Sequence, residues 1–138
     1  MDVANFFEWD VARYGLQLPE MDEEHQAIIA SMNRLHTLHG SGAKRADLRK
    51  ELEHLVAVTT RHFSDEEAYM NRIGYPDLNK HRLIHKGLLE KIMHHKQQFD
   101  GTGICTEEFF VFLKMWLKSH ICGIDVQYAA HGRKGMAA

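Results

Sequence analysis

The chain has 138 residues, a formal net charge of −2 and eleven histidines, and 44% of its residues are hydrophobic. A chain of this length fits one domain, which buries about two-thirds of the surface exposed when unfolded. Its lysines and arginines are dispersed and form no basic face, which argues against nucleic acid or an anionic membrane as a partner.

The N-terminal stretch, the lack of a long apolar segment and the two cysteines indicate a cytoplasmic protein without a membrane segment. The N-terminal stretch MDVANFFEWD has no apolar signal region, and no segment of the chain reaches the ~18 apolar residues that a membrane span requires. The only two cysteines, Cys105 and Cys122, form no C-x-x-C pair. Such sparse use of cysteine is typical of a reducing compartment.

Three glycine-containing breaks divide the chain: HGSG at 39–42, IGYP at 73–76 and DGTG at 100–103. Glycine commonly ends a helix and proline cannot continue one, so the breaks predict four helices. They are predicted to run from Pro19 to His39, Lys44 to Ile73, Asp77 to Phe99, and Thr106 to Ala129. Asp77 and Thr106 are expected to be N-caps.

Helices of similar length joined by short connections favour antiparallel neighbours. The sequence therefore predicts an all-α fold, an up-down-up-down antiparallel four-helix bundle. We expect residues 1–138 to form a single domain, with an N-terminal arm at 1–18, the bundle at 19–129 and a flexible tail at 130–138. The apolar side chains of Phe6, Phe7 and Trp9 are expected to hold the arm against the bundle.

Seven ionisable residues interrupt the apolar stripes of the predicted helices. They are His25 on the first helix, His62 and Glu66 on the second, His81 and His85 on the third, and His120 and Asp125 on the fourth. Chance accounts for the spacing of single pairs in a histidine-rich chain, but not for mid-helix positions on all four stripes.

Residues four apart on a helix are turned by only about 40° and lie ~6 Å apart, so their side chains can converge on one ion. Burying so many ionisable groups without a cation would be costly. The pattern therefore predicts a metal site, and nitrogen and carboxylate ligands favour iron, manganese or zinc.

The step from His120 to Asp125 does not fit a regular helix. Five residues turn an α-helix by ~140°, so both side chains reach one centre only if the helix widens locally. We predict a π-type turn there, at the position of Gly123.

Three ordered motifs, DEEHQ, HFSDEEAYMNRIGYPDLNKHRLIH and FLKMWLKSHICGIDVQY, together with the Trp9 arm, resemble the hemerythrin family and specifically its bacterial single-domain type. The resemblance implies a non-haem di-iron centre with an oxo or hydroxo bridge. One iron would be bound by His81, His85 and His120, the other by His25 and His62, and both by the bridging Glu66 and Asp125.

These ligands would fill all but one coordination position of two six-coordinate irons. In the family the open position, on the two-histidine iron, binds dioxygen as hydroperoxide. The resemblance places an apolar oxygen pocket at Ile28, Phe63, Trp116, Leu117 and Ile121.

Three other predictions concern residues near the site. Glu24 stands where bacterial members commonly have glutamine. We expect it to face solvent; if it points inward, it could alter iron affinity or proton supply. Cys122 is expected to pack rather than to take part in redox chemistry. The remaining histidines are expected at the surface: His36, His39, His54, His94, His95 and His131.

The resemblance implies reversible dioxygen binding for carriage, storage or buffering, and not an enzyme. Dioxygen is the implied ligand, and a protein that accepts the oxygen is an open partner. Two alternatives stay open: a di-iron enzyme acting as peroxidase, oxidase or in nitric-oxide handling, and an oxygen or iron sensor. An apolar pocket argues against the enzyme because it offers no substrate route and no proton donor. We expect no signalling domain beside the bundle.

Overall fold

The computed structural model describes residues 6–137, which contain helices and connecting segments but no strand. In chain order the elements are α1 (Val11–Tyr14), α2 (Pro19–Gly40), α3 (Arg45–Arg72), α4 (Leu78–Thr102), α5 (Glu107–Ser119), a π-helical turn (His120–Asp125) and α6 (Val126–Ala137). α2, α3, α4 and the continuous segment from α5 to α6 form the four-helix bundle that the sequence predicts. Within the described residues, no helix combines the length and the apolarity that crossing a bilayer requires.

The helix ends follow the local chemistry of the sequence. The hydroxyl of Thr106 accepts a hydrogen bond from the backbone N–H of Phe109 at 3.1 Å, which caps α5 as predicted. Asp77 occupies the N-cap position of α4 without a side-chain bond to the helix. Gly74 and Gly103 adopt φ values of 65° and 74°, a left-handed conformation that is strained for residues with a Cβ.

The core of the bundle divides into two halves along its axis. One half is apolar and contains Leu35, Leu52, Leu55, Ile92, Phe99, Phe110 and Leu113, all buried. These residues come from the C-terminal parts of α2 and α4 and the N-terminal parts of α3 and α5, which meet because the helices are antiparallel. The seven interrupting residues lie in the other half.

The N-terminal arm is held against the bundle by polar and aromatic contacts. The side chain of Asn33 pairs with the backbone of Phe7 through two hydrogen bonds of 2.8 Å, and the Phe7 ring is buried. The Phe6 ring stacks on His36 with centroids 4.5 Å apart. The predicted arm thus contains the short helix α1, and its residues 1–5 lie outside the described part of the chain.

The predicted end of the last helix at Ala129 is wrong, because α6 continues to Ala137. Gly132 lies within this extension, and a Cβ at this position would lie 2.4 Å from the hydroxyl oxygen of Tyr69. The glycine therefore lets the helix lie close to α3. Arg133 adds a hydrogen bond of 3.0 Å to the carbonyl of Leu16.

Candidate metal centre

The bundle gathers the seven interrupting side chains into two adjoining groups of potential ligand atoms. One group contains Glu66, His81, His85, His120 and Asp125, and the other contains His25, His62, Glu66 and Asp125. In each group the ligand atoms lie within 4.8 Å of one another, and all seven residues are buried. Glu66 and Asp125 belong to both groups and so stand between them.

The first group has three imidazoles at the distances expected for ligands of one ion. Nε2 of His120 lies 3.3 Å from Nε2 of His81 and 3.2 Å from Nε2 of His85. Two donors bound to one ion at about 2.1 Å and at a right angle are about 3.0 Å apart. The three Nε2 atoms are therefore spaced like neighbouring ligands of one cation.

The second group has only two imidazoles. The His25 and His62 rings lie edge to face with centroids 4.3 Å apart. Nε2 of His25 is 3.1 Å from Oδ2 of Asp125, and Nε2 of His62 is 3.1 Å from Oε1 of Glu66. The two halves of the site are thus unequal in their number of nitrogen ligands.

The two carboxylates face both groups. Asp125 directs Oδ1 toward His81 and His120, at 3.2 and 3.0 Å, and Oδ2 toward His25. Oε1 of Glu66 lies 3.1 Å from Nε2 of His62 and 3.2 Å from Nε2 of His85. Each carboxylate is therefore placed to join two cations.

Asp125 reaches the site because the helix is widened before it. Residues His120–Asp125 form a π-helical turn, which confirms the distortion predicted from the five-residue step. The turn brings Oδ1 of Asp125 within 3.0 Å of Nε2 of His120. In a regular helix these side chains would diverge by ~140°.

Several ligand atoms are buried and close to one another, yet are not aligned as hydrogen bonds. Nε2 of His25 and His62, Oε1 of Glu66 and both carboxylate oxygens of Asp125 have no hydrogen-bond partner. The short distances and the missing bonds agree if the lone pairs point at common centres rather than at each other. Leaving such atoms without a partner is costly. Bound cations would therefore satisfy these ligand atoms better than hydrogen bonds among them do.

The electrostatics of the site also favour cations. Burial lowers the pKa of His62, but the carboxylates of Glu66 and Glu24 outweigh burial and raise it to about 10. Burial and Asp125 raise the pKa of Glu66, while His62 and His85 lower it to a net value of about 2. Glu66 is thus ionised at neutral pH, and a cation would replace the proton that His62 holds.

Two further carboxylates contact the outer ring nitrogen, Nδ1, of two of the candidate ligand histidines. Oε1 of Glu24 lies 2.7 Å from Nδ1 of His62, so the expectation that Glu24 faces solvent is wrong. Oε2 of Glu67 lies 2.9 Å from Nδ1 of His85. A carboxylate on the outer nitrogen orients an imidazole and leaves its Nε2 as the donor.

Tyr128 contacts the site without having been predicted as part of it. Its buried hydroxyl donates a hydrogen bond of 2.5 Å to Oε2 of Glu66. The Tyr128 ring also lies against the His81 ring, with centroids 5.7 Å apart. Its position three residues after Asp125 is the only signal in the sequence that could have indicated this role.

The five residues predicted to form an oxygen pocket are buried beside the site: Ile28, Phe63, Trp116, Leu117 and Ile121. The Phe63 ring stacks on the His85 ring with centroids 3.9 Å apart and meets the Trp116 ring edge to face at 5.8 Å. Ile28 and Trp116 lie one turn from His25 and His120, at the boundary with the apolar half of the core. Nε1 of Trp116 is buried without a hydrogen-bond partner.

The six remaining histidines all lie within the described residues, and none of them is buried. His36, His39 and His95 pack against phenylalanine rings at the apolar end of the bundle. Cys122 is exposed, contrary to the packing role expected for it, and its thiol contacts the carbonyl of Arg13 at 3.8 Å. Cys105 is buried and free.

Comparison with known protein families identifies the chain. The Hemerythrin HHE cation binding domain family matches residues 17–130, which span the whole bundle as far as the first turns of α6. The chain belongs to the hemerythrin family. The description of the family as a cation binding domain agrees with the buried set of metal-ligating residues and with the non-enzymatic function expected from the sequence.

Its relatives include bacterial and animal hemerythrins. A bacteriohemerythrin of Stenotrophomonas maltophilia (strain R551-3) is 30% identical over 109 residues, which cover 79% of this chain and 71% of the relative. A bacteriohemerythrin of Methylococcus capsulatus is 28% identical over 121 residues, covering 87% and 92%. The myohemerythrin of Riftia pachyptila is 30% identical over 127 residues, covering 92% and 94%.

Solved hemerythrin structures share the fold. The crystal structure of wild-type hemerythrin superposes with a TM-score of 0.83 at 26% identity, covering 90% of this chain and 95% of that chain. A hemerythrin mutant superposes with a TM-score of 0.86 at 25% identity, covering 94% and 98%.

Proposed function

We propose that this hemerythrin binds dioxygen reversibly at a pair of iron ions joined by an oxo or hydroxo bridge. In this proposal His81, His85 and His120 hold one iron, His25 and His62 hold the other, and Glu66 and Asp125 bridge them. The proposal takes residues 1–138 as one such domain. When bound, the iron pair would supply two electrons and one open coordination position for dioxygen.

The unequal division of the imidazoles carries the proposal. Three nitrogen donors face one half of the site and two face the other, while both carboxylates are shared. Two ions of the same coordination number would therefore differ by one protein ligand. The coordination position left open would belong to the ion beside His25 and His62. A structural metal site, by contrast, is usually closed by protein ligands.

The chain would protect the bound oxygen by keeping water out. Ile28, Phe63 and Trp116 are buried at the boundary between the ligands and the apolar half of the core. They offer no acid that could donate a proton, and outside water would release the oxygen in reduced form. The indole N–H of Trp116 is the one polar group that the pocket adds.

The surrounding side chains would hold the ligands in place. Tyr128 donates to Glu66 and fixes the orientation of that carboxylate. Glu24 and Glu67 do the same for His62 and His85, one in each half of the site. Such supports keep the donor atoms fixed while oxygen enters and leaves.

A cytoplasmic location is part of the same proposal. Cys105 and Cys122 are free thiols, as expected in a reducing compartment. Reducing conditions would also return oxidised iron to the ferrous form that binds oxygen. A protein that accepts the oxygen is not required by this function.

The test is an anaerobic absorption titration of the reduced, iron-loaded protein with oxygen, followed by removal of the oxygen. We expect a visible band that appears with oxygen and disappears when oxygen is removed. A His62→Leu variant, which lacks one donor beside the open position, is the matched control and should show no reversible band. Irreversible oxidation of the wild type on the first addition, or turnover of added peroxide, would contradict the proposal.

A further inference from the structure

α5 is apolar on its outer surface as well as on its core face. Val111 and Met115 are 54% and 63% exposed, and Ile104, just before the helix, is 62% exposed. Phe109, Leu113 and Trp116 occupy the opposite, buried face of the helix. Single exposed apolar residues are common, but a contiguous row of them marks a contact surface.

Val111 and Met115 belong to a regular row on the helix that we call the α5 stripe: Glu108, Val111, Met115 and Lys118. Ile104, before the helix, and Cys122, in the π-helical turn, flank the two ends of the stripe. Successive members are separated by alternating steps of four and three residues. This is the spacing of the seam of a two-helix coiled coil. Glu108, Val111 and Met115 are exposed, and Lys118 is half-buried with its ammonium 5.8 Å from the centroid of the Phe7 ring, so the row faces outward along α5 beside the N-terminal arm.

The α5 stripe is complementary to itself when reversed. If a second α5 lies antiparallel and the two cross at Leu113, Val111 lies opposite Met115 of the second copy. The same register places Glu108 opposite Lys118 of the second copy. Each apolar side chain of the stripe then meets another, and each charge of the stripe meets its opposite.

We propose that a second copy of this chain docks on the α5 stripe, antiparallel and related by a two-fold axis near Leu113. A two-fold contact uses the same patch on both copies, so each favourable pair occurs twice. Shifting the register by one turn in either direction would set Glu108 or Lys118 against an apolar residue or leave it unpaired. Antiparallel packing also opposes the two helix dipoles favourably.

The surface beside the stripe can enlarge this contact. α1 lies next to the π-helical turn, where the Cys122 thiol contacts the carbonyl of Arg13. Val11 of α1 is 71% exposed. Because stable interfaces bury at least about 1,200 Å² in total, we expect the second copy to cover α1 as well as α5.

The first experiment is sedimentation of the iron-loaded protein from about 1 to about 500 µM, a range that spans micromolar dimer dissociation constants. We expect a monomer–dimer equilibrium. Glu108→Lys places lysines opposite each other twice and should weaken the dimer at least about tenfold. Lys118→Glu should weaken it similarly from the other side, and the double variant Glu108→Lys/Lys118→Glu should restore it.

A matched control keeps the test specific to this face. Glu53→Lys makes the same charge change on the exposed surface of α3 and should leave the dimer unchanged. Circular dichroism melting establishes that each variant is folded, so loss of dimer is not confused with unfolding. Reversible oxygen binding should persist in every variant, which separates this proposal from the one on the metal site.

Three results would overturn the proposal. A wild type that stays monomeric throughout the concentration range would leave the stripe to another partner. A dimer that Glu108→Lys and Glu53→Lys affect equally would place the contact on another face. A double variant weaker than both single variants would exclude the antiparallel register.

Discussion

Each half of the site has one imidazole that a carboxylate supports from behind. Glu24 contacts Nδ1 of His62 at 2.7 Å, and Glu67 contacts Nδ1 of His85 at 2.9 Å. We predict that Glu24→Gln or Glu67→Gln lowers affinity for one of the two irons about 10- to 100-fold, because the imidazole loses its charged partner. Competition with a ferrous chelator, with iron counted per chain, measures the loss.

The neighbouring Glu23 provides the control for this prediction. It is exposed, and Glu23→Gln removes the same charge without touching a ligand. Equal losses in Glu23→Gln and Glu24→Gln would mean that the net charge of the chain, and not the contact with His62, sets the affinity.

At the residue scale, the sequence could indicate the seven central residues but not their supports. His62, Glu66 and Asp125 interrupt apolar stripes, where a polar residue needs a reason to be buried. Glu24 lies on the more polar side of α2 and reaches His62 only because α2 and α3 pack at this particular distance. Tyr128 fits an ordinary core position, and its hydroxyl contact with Glu66 depends on the rotation of the last helix. Sequence periodicity gives neither the distance between two helices nor the rotation of a helix about its axis.

At the element scale, the π-helical turn places Asp125 in the site. We predict that inserting one alanine after Gly123 lengthens the step from His120 to Asp125 to six residues and turns Asp125 away from the site by about 100°. The variant should keep its helical circular dichroism but bind less iron per chain, because one bridging carboxylate is lost. Iron analysis after desalting gives the stoichiometry.

Gly123→Ala keeps the number of residues in the turn and removes only the conformational freedom of glycine. A Cβ at this position has no neighbour within 4 Å, so alanine fits the turn as it stands. The substitution should leave two irons per chain. Equal iron loss in Gly123→Ala and in the insertion variant would show that glycine itself, and not the number of residues in the turn, is required.

The ends of the elements show where local signals suffice. Thr106 and the glycines of the three breaks define boundaries through their own backbone chemistry, and these boundaries agree with the sequence prediction to within three residues. The end of α6 does not, because it depends on contact with a different helix. Gly132 reads as a helix breaker in the sequence, but against Tyr69 it permits close packing.

At the scale of the whole molecule, the bundle follows from four apolar stripes and three short connections. The sequence pattern does not show how the site affects the stability of that bundle. Among residues 6–133, nine polar or charged residues are buried, seven of them in the site, so half of the core lacks ordinary apolar packing. The native state therefore has buried charges in the place where the other half has leucine and phenylalanine.

Iron should consequently be a large part of the stability of this protein. The unfolded chain does not hold seven ligands together, so a cation that binds only the native state stabilises it by about 4 kcal/mol at a thousandfold excess over its dissociation constant. In a domain of this size we predict that removing iron lowers the melting midpoint by more than about 10 °C. Anaerobic calorimetry of ferrous and iron-free protein measures the difference.

A His25→Leu/His85→Leu variant tests whether the shift comes from the site. Each half then lacks one donor, and the added apolar groups fill part of the space that the imidazoles leave. Its melting midpoint should change little when iron is added. Its melting midpoint should also lie above that of the iron-free wild type, because apolar side chains replace two imidazoles that are buried without a metal. An iron-dependent midpoint in this variant would place the stabilising ion elsewhere in the molecule.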